Sequence, residues 1–206
     1  MKTLALAAGL AAIAAAVTAQ EVPVSRFGPE DQAGASNLMT PAKALEAVAL
    51  IKTGTVLSIG RDYTADMPLF GARAFALRGT RGNAGGPFGQ NEVIWMDDFL
   101  ATEIGQVGTQ FDGLSHIGIG GGSNTDDLFY NQFTGTEVSG SLGVRVLGIE
   151  HVKPFFTRGI VLDIASVRGG PMDAGQEISV ADMEAALERQ SIGEPASGDV
   201  VLIHTG

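Results

Sequence analysis

Gly108-Thr109-Gln110-Phe111-Asp112-Gly113-Leu114-Ser115-His116, running on into Ile117-Gly118-Ile119-Gly120-Gly121-Gly122, is the stretch from which the rest of the chain is read. It sets an aspartate and a histidine four residues apart around a glycine, with Gln106 and Gln110 close by in sequence. The chain has only three histidines and no cysteine, so few places can host nucleophilic or metal chemistry. A carboxylate and an imidazole at this spacing can ligate a divalent ion, whose bound water ionises near neutral pH and attacks a carbonyl. Alternatively His116 is a general acid or base, with Asp112 as its orienting partner. The plain structural reading is that Asp112 caps the turn and His116 is a hydrogen-bonded loop residue, because a two-residue pattern is unspecific by itself.

Working outward, the N-terminus reads as a cleaved secretory signal. Lys2 supplies a positive start, Leu4 to Val17 is an apolar run, and Val17-Thr18-Ala19 has the small residues of a cleavage site after Ala19. The run falls short of the ~20 apolar residues a membrane span needs. The mature chain, residues 20–206, then has the size of one domain with a sizeable core. Losing Lys2 takes the net charge from −10 to −11, and such a surface repels nucleic acid and anionic membranes. An exported chain without disulfides relies on packing, oligomerisation or a metal, and the periplasm of a bacterium, or secretion, suits it.

Residues 20–38 are polar and turn-rich and read as an arm over the domain. Thr40 and Pro41 open a helix whose apolar face is Ala44, Leu45, Val48, Ala49 and Ile51, with Gly54 as its stop. Strands are expected at 55–59, 92–96, 107–111, 144–149, 159–164 and 199–203, and a short helical turn at 149–156. The run at 159–164 is almost continuously apolar, as a buried strand requires. A second helix starts at Ser179, with Asp182 in the capping-box position and Met183, Ala186 and Leu187 facing inward. The intervening 61–91 is rich in Gly and Pro and reads as irregular. Neither its glycines nor those of 118–122 open onto a helix, so a phosphate loop is excluded in favour of a substrate-covering or surface loop. The chain stops straight after a buried strand, which reads as a piece of a longer polypeptide.

Other candidates are weaker. His151 sits beside Glu150 in a turn, and His204 lies at the end of a strand, where α/β sheets meet ligands. Trp95, Phe99, Phe129, Tyr130 and Phe133 bracket the central stretch and read either as core or as the wall of an aromatic substrate pocket.

The stretch 108–116 resembles the metal-binding signature of the cyclase family of hydrolases, which includes bacterial kynurenine formamidases and isatin hydrolase. That signature reads His-x-Gly-Thr-His-x-Asp-x-Pro-x-His. Phe27 to Leu38, Glu150 to Asp163 and Gly198 to Gly206 resemble the same family, in the same order. The resemblance implies a single α/β domain of the swivelling β/β/α type, a mixed sheet with packed helices, over 20–206. It also implies a homo-oligomer and hydrolysis of a formamide or cyclic amide at a Mn, Zn or Mg ion, as in tryptophan catabolism. Gly108 and Thr109 match the signature, Asp112 takes the place of the ligand aspartate, and His116 that of the last histidine, a base or ligand. Gln106 and Gln110 stand where the family has ligand histidines, and Leu114 where it has proline. A glutamine oxygen is a harder and weaker donor than imidazole, so the metal ligands implied are Asp112 with help from Gln110 and Gln106, and zinc is disfavoured. Trp95, Phe129 and His204 are the implied substrate contacts. An exported binding protein that keeps the pocket without metal catalysis is the alternative function.

Overall fold

The computed structural model describes residues 21–81 and 86–206; the expected leader at 1–19 and the middle of the glycine-rich run at 82–85 lie outside the described residues. Among the described residues no helix is long and apolar enough to cross a membrane. The architecture is mixed α/β. Helix α1 spans Pro41–Ala49, strands β1 and β2 span Phe75–Arg81 and Met96–Thr102, and the short α2 spans Gly135–Val138. Then follow β3 at Gly159–Asp163, α3 at Ile164–Arg168, α4 at Val180–Gln190 and β4 at Val200–His204.

The described strands form two separate pairs instead of one mixed sheet. β1 and β2 are an antiparallel ribbon, while β3 and β4 run parallel, with Gly159 opposite Val200 and Asp163 opposite His204. The core lies on one face of the parallel pair. Ile160, Leu162, Ile164 and Ala186 are buried there, and Met183, Leu187, Val167 and Ile178 pack against them from α3, α4 and the connecting turn. Each fully buried Leu or Ile contributes about 1.5–3 kcal/mol. The expected buried strands are covered on one face: Ile160 and Leu162 are buried, while Val161, Val201 and Ile203 are exposed, because among the described residues α3 and α4 pack on that face.

α4 forms for the reason its sequence gives. Ser179 Oγ accepts from the Asp182 amide at 3.2 Å and the Asp182 carboxylate accepts from the Ser179 amide at 2.8 Å, closing a capping box. α1 starts as expected, with Thr40 Oγ1 accepting from the Lys43 amide at 3.2 Å. It ends five residues before Gly54, because the last turn tightens: the Leu50 and Ile51 amides reach back to Ala47 and Val48. Of its apolar residues only Ala47 is buried; Leu45, Val48 and Ile51 are exposed.

Four of the expected strands are absent as such. Residues 55–59 have no ladder partner, and 92–96 supplies only the Val93 bridge to Phe88 before β2 begins. At 107–111 the positive φ of Gly108, next to that of Gln106, breaks the extended run, and Leu147 does the same within 144–149. β1, in contrast, lies in the stretch read as irregular; its order comes from pairing with β2 along seven residues.

The arm is pinned down by one buried side chain. Asn131, in the left-handed region at φ 59°, accepts from the Ser25 amide at 2.7 Å. Its side-chain NH₂ donates to the carbonyls of Gly28, Pro29 and Asp31 at 2.8–3.0 Å. Tyr130 adds its hydroxyl, 2.6 Å from both Ser25 Oγ and an Asp31 oxygen. Burial alone raises the Asp31 pKa, but hydrogen bonds from Tyr130, Asn37, the Ala33 amide and Ser25 outweigh it and hold that carboxyl at about 2.

Candidate active site

The central loop owes its shape to contacts made 46 residues upstream. Gly108 sits at φ +139°, and a Cβ there would lie 2.8 Å from the Tyr63 ring, so no larger residue fits. The Tyr63 hydroxyl donates to the Thr109 carbonyl, and Thr109 Oγ1 accepts from the Arg61 amide at 2.9 Å. Gly108 and Thr109 are therefore the anchor of the loop, and Tyr63 and Arg61 are supporting residues that the sequence did not single out. No local pattern could have found them, because the pairing is entirely tertiary.

Beyond that anchor the structure brings four of the expected site residues together. Asp112 Oδ2 accepts from Gln110 Nε2 at 3.3 Å, and Gln106 Nε2 lies 3.5 Å away from the same oxygen. Gln110 Oε1 in turn accepts from the backbone amide of Gln106. His116 closes a turn by donating its amide to the Gly113 carbonyl at 3.0 Å. His116 Nε2 then stands 3.8 Å from Asp112 Oδ1, close enough for an ion pair and too far for a direct hydrogen bond. Both side chains are more than a third exposed.

The loop walls three cavities. One of about 490 Å³ is lined by Gln106, Thr109 and Gln110 together with Arg61 and Phe70. A second, of about 320 Å³, lies between Gly113, Leu114 and Ile117 on one side and Phe129 and Tyr130 on the other. The third, about 190 Å³ and the most enclosed, has Asp112 beside Phe111 and Phe155, whose rings are 5.8 Å apart. Only the third of these touches the carboxylate; the other two flank the loop through Gln106 and Gln110 and through Gly113 and Leu114.

Two of the glycines of 118–122 are explained by close packing. A Cβ on Gly118 would lie 2.7 Å from the Leu128 carbonyl and 3.0 Å from the Phe129 ring, and one on Gly121 would overlap Asp126. Phe129 thus reaches the loop and lines the second cavity. Trp95 and His204 do not join it. Trp95 stacks on Phe88 at 5.2 Å ahead of β2, and His204 bonds to Asp163 beside another cavity. His151 is an exposed partner of Glu150 at 3.7 Å.

The donor set does not fit a tightly held zinc ion. Among the described residues no group of three or more His, Asp, Glu or Cys side chains could hold a metal. Asp112 and His116 are joined by two neutral carboxamides whose NH₂ groups are turned toward the carboxylate, and Gln110 Oε1 is engaged by the loop backbone. The amides satisfy Asp112 in the place where imidazole ligands would otherwise stand.

Comparison with known proteins fits this arrangement. Residues 57–206 match the family model described as "Putative cyclase". A crystal structure of "a novel cyclase" superposes with a TM-score of 0.74 at 32% identity, over 87% of this chain and 61% of that one. The chain thus spans less than two thirds of that relative's length. No curated protein matches. The sequence match over 57–206 and the shared fold make the chain a member of the cyclase family.

Proposed function

We propose that the chain is a hydrolase of carbonyl–nitrogen bonds, acting on a formamide or cyclic amide, with His116 as its proton carrier. The observation that carries this reading is the His116–Asp112 pair, 3.8 Å apart, with Asp112 lining a cavity beside Phe111 and Phe155. His116 takes a proton from water as the water oxygen adds to the substrate carbonyl carbon. The imidazolium so formed is stabilised by the Asp112 carboxylate. It then returns the proton to the leaving nitrogen as the C–N bond breaks, giving an acid and an amine, or a ring-opened amino acid. Gln106 and Gln110 keep Asp112 oriented through their amide hydrogens. No step passes through a metal. Export to the periplasm, assembly into an oligomer and the full swivelling β/β/α sheet belong to the same proposal, on the strength of the leader-like N-terminus and the family.

A second reading is a binding protein without turnover. The two carboxamides turned onto Asp112 favour it, since they occupy the ground where a stronger electrophile would sit. Turnover of N-formylkynurenine and of isatin, followed by absorbance, separates the two. Hydrolysis by the wild type that falls about 10²–10⁴-fold in His116→Ala supports the hydrolase. Saturable binding with no turnover supports the second reading, and turnover unaffected by His116→Ala defeats the first.

A further inference from the structure

We propose that the N-terminal arm is a positioning element of the Asp112–His116 loop: Leu114, seated on the Gly34 backbone, fixes the turn that carries His116. The turn is the one closed by the His116 amide on the Gly113 carbonyl at 3.0 Å, which makes Leu114 its second residue. That place takes proline readily, because the ring presets the φ such a turn needs, and a leucine leaves the torsion to outside contacts. Among the described residues the Leu114 amide donates no hydrogen bond, so the restraint falls to the side chain. The side chain rests on Gly34. Gly34 is buried and left-handed at φ +56°, and a Cβ there would lie 3.1 Å from Leu114 Cδ1. Any side chain at 34 would press into the leucine.

The seat is itself held in place. The Asp31 carboxylate accepts from the Ala33 amide at 3.2 Å and from the Gly34 amide at 3.1 Å, and the oxygen that takes Gly34 also takes the Tyr130 hydroxyl at 2.6 Å. Gln32 Oε1 accepts from the Leu147 amide at 2.7 Å, and the buried Ser36 accepts on Oγ from the Lys153 amide at 3.0 Å. The arm is thus tied at three separate points and is the fixed member of the Gly34–Leu114 contact. It also walls both cavities that Leu114 lines. Val22 belongs to the second of them, and Ala33, Ala35 and Ser36 to the third, which holds Asp112. Leu114 is the midpoint in sequence between Asp112 and His116, so a shift off its seat alters their 3.8 Å separation. The consequence for turnover rests on the reading of His116 as proton carrier, whereas the positioning itself does not.

The test is ¹⁵N relaxation on the full chain, read at the amides of Gly113, Ser115 and His116. Their order parameters should be about 0.85 in the wild type and fall toward about 0.6 in Leu114→Ala, with the circular dichroism unchanged. Leu114→Met fills the seat with a similar volume and should stay near the wild type. Leu114→Pro presets the turn without the arm and should keep these amides ordered. In turnover of N-formylkynurenine, Leu114→Ala should lower kcat by about 10–10²-fold with KM changed less, and Leu114→Pro should regain part of it. Relaxation needs no substrate, so the seat is tested even where nothing is turned over. Unchanged order in Leu114→Ala, equal loss in Leu114→Met, or a proline variant as loose as the alanine one would each overturn the proposal. Should the proline variant not fold, the alanine and methionine pair decides.

Discussion

Replacing Asp199 by asparagine should cost this fold more than any surface charge change. The Asp199 side chain is fully buried where α1, the start of β3 and the start of β4 converge. Lys43 Nζ stands 2.8 Å from one oxygen, and the other accepts from Arg158 Nε at 3.0 Å, from Arg158 Nη2 and from the Ala196 amide at 2.7 Å. An asparagine keeps the shape but leaves two cations facing a neutral amide, one of them meeting its NH₂ group. Removing one partner from a buried pair costs about 3–5 kcal/mol. Lys43 is nearly buried, but Arg158 is a third exposed and regains water, which brings the figure down to about 2–3 kcal/mol. For a chain of this length that is a fall in melting temperature of roughly 5–10 °C. Arg158 and then Lys43 hold the Asp199 carboxyl well below the usual carboxylate range, against the opposing effect of burial. Stability from this group is therefore fully present above the unfolded carboxylate pKa and lost as pH falls through the folded one. Urea denaturation of wild type and Asp199→Asn at neutral pH and in acid is the assay. The difference should be largest at neutral pH and shrink in acid. A neutral-pH difference below about 0.5 kcal/mol, the range of ordinary surface changes, would refute the reasoning.

Three further outcomes follow from the same contacts. Asn131→Ala should destabilise by about 2–3 kcal/mol, since several buried backbone groups of the arm lose their partner, and limited proteolysis should then cut within residues 21–33 first. Gly108→Ala combines a positive φ with a 2.8 Å approach to Tyr63, so it should lower the melting temperature and abolish ligand binding at the loop, with Tyr63→Ala restoring part of the stability. Asp31, held at about 2 by Tyr130 and its other donors, contributes stability that is present above about pH 4 and lost between there and pH 2. Tyr130→Phe should flatten that acid limb, which a pH series of thermal melts would show.

What could be read of the fold followed from how local its causes are. Ser179 and Asp182 close a capping box within one turn, and Thr40 with Pro41 starts α1, so both helices were legible. The Thr134–Glu137 box that starts α2 has the same signature and was there to be read. β3 and β4 were legible from their apolar runs, but whether they are covered on one face or two depends on which helices pack there. β1 was hidden because Gly79 sits in its middle and its order comes from register with β2, twenty residues on. The expected strands at 55–59 and 107–111 failed for the converse reason: their composition suits a strand, but no neighbour supplies a ladder and, at 107–111, the backbone turns at Gly108.

The site divides along the same line. Asp112 and His116 could be found because one short loop carries both, and a loop of eleven residues with three cavities against it has few ways of separating them. What their neighbours do could not be read from residue type alone. A glutamine in a ligand position can turn either its oxygen or its nitrogen inward. Here the backbone amide of Gln106 takes the Gln110 oxygen, and that leaves the nitrogens for Asp112. Gln106 is itself left-handed, at φ 61°, where it makes that contact. Trp95 and His204 were drawn in by type and by proximity in sequence or at a strand end, and the fold sends each to another place. If Gln106 were forced out of that conformation, the Gln110 oxygen would be released and could face a cation. The orientation of the two carboxamides thus rests on the loop backbone as much as on the residue types.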